Sequence, residues 1–152
     1  MLVAVGSDRS GYMHKQKLIS FLEQNHYQVK DCGTLCECIC DYPDFATSVA
    51  MKIIHQEADF GVLICGTGEG MSIAANKHKG IRCGIGYNDE TAQLLRAHND
   101  ANIIAFGAKY CTPEDVQRRT LLFLSTGFLG GYHSQRVNQI SQLESSSKKS
   151  NI

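Results

Sequence analysis

Apolar and polar positions alternate between two periods along this chain, five times over. Short apolar runs at residues 2–5, 28–30, 60–64, 82–85 and 102–106 read as strands. Helical spacing follows each of them, at residues 12–24, 44–55, 71–76, 89–96 and 113–124. In the first helical stretch Leu18, Ile19 and Leu22 recur on one face. Asn88 stands where an N-cap belongs before the fourth. Thr112-Pro113-Glu114 opens the fifth with a cap and a proline at the first helical position. Strand–helix units joined by short links predict an α/β fold. The expected form is a three-layer αβα, Rossmann-like sandwich with a five-stranded parallel sheet. A loop from Ser125-Thr126-Gly127 then leads to a short C-terminal helix holding Arg136, Val137 and Ile140. Residues 1–144 are expected to form one domain, and the polar residues 145–152 a disordered tail.

Ligands in open parallel sheets bind at the carboxyl ends of the strands. That rule gathers the loops at residues 6–11, 65–70 and 107–109 on one rim. The middle loop is the most informative. The run Phe60-Gly61-Val62-Leu63-Ile64 gives way to Cys65-Gly66-Thr67-Gly68-Glu69-Gly70, and a helix begins. Gly66, Gly68 and Gly70 leave backbone N–H groups open to an anion at a helix start. Cys65 adds a thiol and Thr67 a hydroxyl. A thiol facing such amides suits chemistry on a substrate that becomes negatively charged. The turn lacks the Lys-Ser/Thr ending of a P-loop, and it follows the third strand, where a dinucleotide fingerprint does not belong.

Three further groups carry candidate chemistry. Asp8 and Arg9 lie in the first strand-to-helix loop; they read as a sugar-hydroxyl acceptor beside a phosphate cation, or as a helix cap. Their place on the active rim favours the first reading. His98-Asn99-Asp100 closes the fourth helix, where a histidine is often only a dipole partner; the density of polar groups favours function. His133 and Arg136 are one helical turn apart and suit a phosphate, although the residues alone favour a solvated face.

Composition works by exclusion. Fifteen basic and fifteen acidic side chains balance, with no long basic tract, so a nucleic-acid footprint is not expected. No apolar run reaches membrane-spanning length. The opening Met1-Leu2-Val3-Ala4-Val5-Gly6 lacks a basic n-region and reaches Ser7-Asp8-Arg9 early. It reads as a first strand, and the protein as cytoplasmic. Seven cysteines, an odd number, are expected to be reduced thiols. Cys32, Cys36, Cys38 and Cys40 lack a paired C-x-x-C knuckle, so a loop of free thiols is preferred to a zinc site. Cys83 and Cys111 are expected to pack beside strands and helix ends.

Taken in order, these segments resemble the ribose-5-phosphate isomerase B family, which also includes the galactose-6-phosphate isomerase subunits. The resemblance rests on Val5-Gly6-Ser7-Asp8, on Asp41-Tyr42-Pro43-Asp44-Phe45-Ala46, and on the run from Gly61 to Lys77. It continues through Gly80-Ile81-Arg82, His98-Asn99-Asp100-Ala101-Asn102 and the segment from Gly130 to Val137. It implies a homo-oligomeric aldose–ketose isomerase, a dimer or tetramer, in the pentose phosphate pathway. Cofactor and metal are both absent from that chemistry. The substrate implied is ribose 5-phosphate, converted to ribulose 5-phosphate through a cis-enediolate. A hexose-6-phosphate isomerase of the allose or galactose type and a non-catalytic sugar-phosphate binder stay open. By the resemblance Cys65 is the base, since Met71 stands where another branch keeps a glutamate. Thr67 relays protons and His98 assists ring opening. Asn99 and the amides of Gly66, Gly68, Glu69 and Gly70 hold the enediolate, with Glu69 at a variable position and not a base. Asp8 and Tyr42 meet sugar hydroxyls or shape the pocket. Two residues depart from the family pattern: Arg9 replaces a histidine and Tyr132 an arginine. Arg9 is expected to supply the phosphate cation that Tyr132 cannot. His133, Arg136 and Lys109 complete the clamp, with Lys109 open to contribution from a neighbouring subunit.

Overall fold

A computed structural model describes residues 1–146, with side chains through Glu144. Five parallel strands form one sheet in the order β2-β1-β3-β5-β4. They are β1 (Leu2–Ser7), β2 (Gln28–Asp31), β3 (Phe60–Cys65), β4 (Cys83–Ile85) and β5 (Ile103–Gly107). Between and after them run α1 (Tyr12–Gln24), α2 (Tyr42–Ile54), α3 (Glu69–Ala75), α4 (Asp89–Asn99), α5 (Pro113–Ser125) and α6 (Tyr132–Ser146). The expected layers and strand count are present. The C-terminal helix is longer than expected: its fifteen residues take in Ser145 and Ser146, which the sequence pattern places in the tail. The rest of that tail, residues 147–152, lies outside the described residues.

Burial explains why these segments chose their elements. β3 and β5 are central, so both faces are covered and their sequences read as unbroken apolar runs. β2 is at an edge and alternates between exposed and half-buried positions. One face of the sheet packs Val3, Val5, Val62, Ile64, Ile104 and Phe106 against Leu18, Leu22, Val116 and Phe123 of α1 and α5. The other packs Ala4, Leu63, Cys65, Ile103 and Ala105 against Val49 and Ala50 of α2 and Met71 and Ala75 of α3. Burying one such large apolar side chain contributes about 2 kcal/mol.

The helix starts carry the expected capping chemistry. Asn88 and Thr91 form a capping box on α4, and Thr112 and Asp115 form one on α5. α2 begins two residues earlier than expected because Pro43 serves its first turn, where a missing N–H costs nothing. α3 begins at Glu69 because Gly68 takes a left-handed φ of 85° as its cap. At the outer edge the Asn76 side chain clasps the Cys83 backbone. It donates to the Cys83 carbonyl at 2.8 Å and accepts the Cys83 N–H at 2.8 Å.

Candidate active site

Strand order fixes where a site can form. β1 feeds α1 on one face of the sheet, and its neighbour β3 feeds α3 on the other. The chain therefore parts above the β1/β3 pair, leaving a crevice at the carboxyl ends. The Asp8 loop walls one side of it and the turn from Cys65 to Gly70 the other.

The turn is held by its own short bonds. The Gly68 amide donates to Cys65 Sγ at 3.1 Å, and the Glu69 amide donates to Thr67 Oγ1 at 3.3 Å. Two amides expected to face substrate are thus engaged with the thiol and the hydroxyl. Neighbouring backbone presses close. A Cβ on Gly107 would lie 2.5 Å from the Thr67 carbonyl oxygen, and one on Gly11 2.3 Å from that of Ile64. Glycine is required at both places because no side chain fits.

Around this turn the structure gathers most of the expected residues. Tyr42, first residue of α2, lies against Gly70, where a Cβ would come within 2.8 Å of its ring. Lys109 stands over Gly66 within the same chain, its Cε 3.6 Å from where a Cβ would be, and Ser10 flanks the same glycine. A second subunit is not needed to bring Lys109 there. Asp8 serves partly as the cap that was the rival reading: its Oδ1 accepts from the Ser10 amide at 2.8 Å and the Gly11 amide at 3.1 Å. Arg9 follows on the surface and pairs with no carboxylate among the described residues, whereas Arg82, Arg96, Arg118 and Arg119 all do.

Cys65 is only 5 % exposed. A cleft of about 500 Å³ opens on the same rim, lined by Thr67, Glu69, Ile85, Tyr87, Gly107, Tyr110 and Cys111; Cys65 is not part of its lining. Tyr87 and Tyr110 are exposed aromatic walls of this cleft that the sequence motifs do not single out. The signal was available, since both follow closely on strand carboxyl ends. Cys111 sits behind them with Arg119 Nη1 donating to its sulfur at 3.2 Å.

The remaining expected residues stand elsewhere. α4 runs back along the sheet, so His98 and Asn99 lie at the amino ends of the strands. Arg96, beside them, covers the ring of Phe60, the first residue of β3, at 4.8 Å. Cys65 is the last residue of that strand, five residues or about 16 Å further on. His98 stacks on His133 with ring centroids 4.2 Å apart. Arg136 lies over the Tyr132 ring at 4.1 Å and donates to the Tyr132 carbonyl. One chain therefore does not unite His98, Asn99, His133 and Arg136 with Cys65, Thr67 and Arg9. Burial first, then the neighbouring His98 ring and Arg136 guanidinium, push the His133 ring below the ordinary histidine range. Asp100 is structural: it joins Arg82 and Arg96, each at 2.8 Å, and ends α4 in a left-handed conformation.

The other cysteines mostly pack. Burial pushes the Cys83 thiol up to about 12 and raises that of Cys32. Cys36 and Cys38 form a disulfide, which corrects the expectation of seven free thiols; their Cα atoms, 5.3 Å apart, are within bridging range. Among the described residues, no three His, Cys, Asp or Glu side chains group as a metal site would require. No helix among them is long and apolar enough to cross a membrane.

The chain is similar over nearly its whole length to known proteins. Ribose-5-phosphate isomerase B of Escherichia coli is 39% identical over 142 residues, covering 93% of this chain and 95% of that protein. The solved ribose-5-phosphate isomerase B of Clostridium thermocellum superposes with a TM-score of 0.96 at 40% identity, over 97% of this chain and all of that one. The type B enzyme of Trypanosoma brucei superposes at 0.90 with 35% identity, over 94% and 98% of the two chains. Fold and relatives together define an aldose–ketose isomerase on an αβα scaffold. The chain belongs to the ribose/galactose isomerase family, whose pattern it matches over residues 3–140.

Proposed function

We propose that this protein interconverts ribose 5-phosphate and ribulose 5-phosphate, with Cys65 as the base. The observation that carries the reading is the Cys65 sulfur held by the Gly68 amide at 3.1 Å on the carboxyl rim, two residues before Thr67, which lines an open cleft. Relatives of similar length that bear the name ribose-5-phosphate isomerase B support the choice of substrate.

The steps follow from the groups present. In the open-chain aldose, Cys65 thiolate takes the hydrogen on C2. The electron pair of that bond becomes the C1–C2 double bond, and charge passes to the C1 oxygen. Thr67 carries a proton from the C2 oxygen to the C1 oxygen. The thiol then returns its proton to C1, giving the ketose. The Gly68 and Glu69 amides, bound to the thiol and the Thr67 hydroxyl in the resting turn, swing to the charged oxygens once substrate opens the turn, and their hold strengthens as the charge develops. Because Cys65 is nearly closed off, the turn must yield for substrate to enter, and its three glycines give the backbone that freedom. Asp8 Oδ2 is left to meet a sugar hydroxyl, and Arg9 and Lys109 take the phosphate.

Ring opening needs His98, which stands on the far rim. The proposal therefore includes a homo-oligomer in which His98, Asn99, His133 and Arg136 of a second copy meet the Cys65 rim. Exposed Leu129, Tyr132 and Ile140, on and just before α6, offer it an apolar surface.

The test is an assay of purified protein against five- and six-carbon aldose phosphates, with Cys65→Ala alongside. Turnover greatest on ribose 5-phosphate, lost in the variant while binding survives, is the expected result. Preference for a hexose 6-phosphate would move the assignment to that substrate. Binding without turnover by the unaltered protein would make it a sugar-phosphate binder.

A further inference from the structure

Lys15 is a charged side chain with no exposure at all, and the chemistry above does not use it. It reaches from α1 to the end of β2, where its Nζ contacts both carboxylate oxygens of Asp31 at 2.5 Å. Asp31 Oδ1 also accepts the Gly33 amide at 2.9 Å. From Gly33 the connection runs straight to the active rim. The Gly33 carbonyl accepts the Ser7 amide at 2.7 Å, and the next residue, Thr34, donates its own amide to the Ser7 carbonyl at 2.8 Å. Ser7 is followed by Asp8, whose amide rests on the Ile64 carbonyl, one residue before Cys65. A second arm leaves the same glycine: a Cβ on Gly33, at φ +92°, would lie 2.7 Å from the ring of Phe45. Phe45 stands one helical turn after Tyr42, the residue that lies against Gly70.

We propose that Lys15, through Asp31, is a positioning residue that sets the Asp8 loop and Tyr42 against the Cys65 turn. A buried ion pair is poor evidence of stability, because apolar replacement of both partners is often neutral. Here the pair has a specific geometric role, because it fixes the loop after β2 where that loop grips β1 through both its N–H and its carbonyl. The inference rests on the reading of Asp8 as a substrate contact.

The experiment compares steady-state kinetics on ribose 5-phosphate for four proteins: unaltered, Asp31→Asn, Asp31→Leu and the double variant Lys15→Met/Asp31→Leu. Asn keeps an oxygen for both Lys15 and the Gly33 amide, so its KM should stay within about twofold of the unaltered value. The double variant leaves no unpaired buried charge and should fold, with KM raised about tenfold and kcat changed far less; that ratio corresponds to about 1.4 kcal/mol. Asp8→Ala is then added to the unaltered and the double-variant backgrounds. Positioning predicts that it raises KM in the first and adds little in the second. The inference fails if the double variant binds substrate normally, or if Asp8→Ala costs the same in both. Should the double variant not fold, Asp31→Asn with KM raised as far as in Asp31→Leu would overturn it. Absence of turnover in the unaltered protein would instead defeat the functional reading.

Discussion

At the carboxyl rim of the sheet, backbone meets backbone through Gly11, Gly68 and Gly107, and two cations, Arg9 and Lys109, have no carboxylate partner among the described residues. At the amino rim the reverse holds. Asp100 is shared between Arg82 and Arg96, and Arg82 also donates to the carbonyls of Asn99 and Asp100. The first rim is close-packed in its main chain and unsatisfied in its charge, which suits an anionic ligand. The second is satisfied within itself, apart from the stacked His98 and His133 and the face of α6. Polar density alone is thus a poor guide to chemistry; what separates the rims is whether the charges already have partners.

The comparison can be tested at both ends. Cys65→Ala should lower kcat about a thousandfold, the scale of a lost proton-transfer base, with the melting temperature nearly unchanged. Asp100→Ala should do the opposite. Stripping two part-buried guanidinium groups of their acceptor should cost about 2 kcal/mol in denaturant unfolding while leaving KM alone. Arg9→Ala should raise KM about tenfold through loss of a charge-assisted contact and spare kcat; an unchanged KM would remove Arg9 from the phosphate site. Mixing inactive Cys65→Ala and His98→Ala chains under exchange should restore about a quarter of normal activity if each site draws on both rims of two copies. No recovery would argue for a site within one chain. The smallest effect concerns pH. His133 resists protonation in the folded chain, so its contribution to stability is full above about pH 6.5 and is lost as pH falls from there through the lowered folded value. The protection factors of amides in residues 132–137, taken against intrinsic exchange at each pH, should fall as pH drops through that window, and His133→Gln should flatten the response.

Much of the scaffold could be read from the chain because each sheet position left its mark. α1 falls at the expected residues, since its apolar spacing is regular and its capping turn is marked by Asp8 and glycine. β3 gains only Cys65, because a strand buried on both faces is hard to mistake. The ends of α2 and α3 depend on proline and on one left-handed glycine, which shift a boundary without disturbing the period. α6 exceeds its expected length because its exposed surface is largely polar and gives weak periodicity. In the site, the thiol, the hydroxyl and the glycines are local to one turn and are legible as a unit. The separation of His98 from Cys65 is not, since resemblance groups residues by role and says nothing of which rim of the sheet each one occupies. The Lys15–Asp31 pair is invisible for another reason: partners sixteen residues apart, on different elements, meet only in the folded sheet.

Asn76 offers a consequence beyond the site. By saturating both main-chain groups of Cys83 on the open side of β4, it blunts the sheet where another strand would add. β4 is also only three residues long. Growth of the sheet from one molecule into the next is thereby hindered at the start of this border. Any copy meeting the chain at this border would find helix surfaces easier to engage than a bare strand, which disfavours runaway stacking from this side.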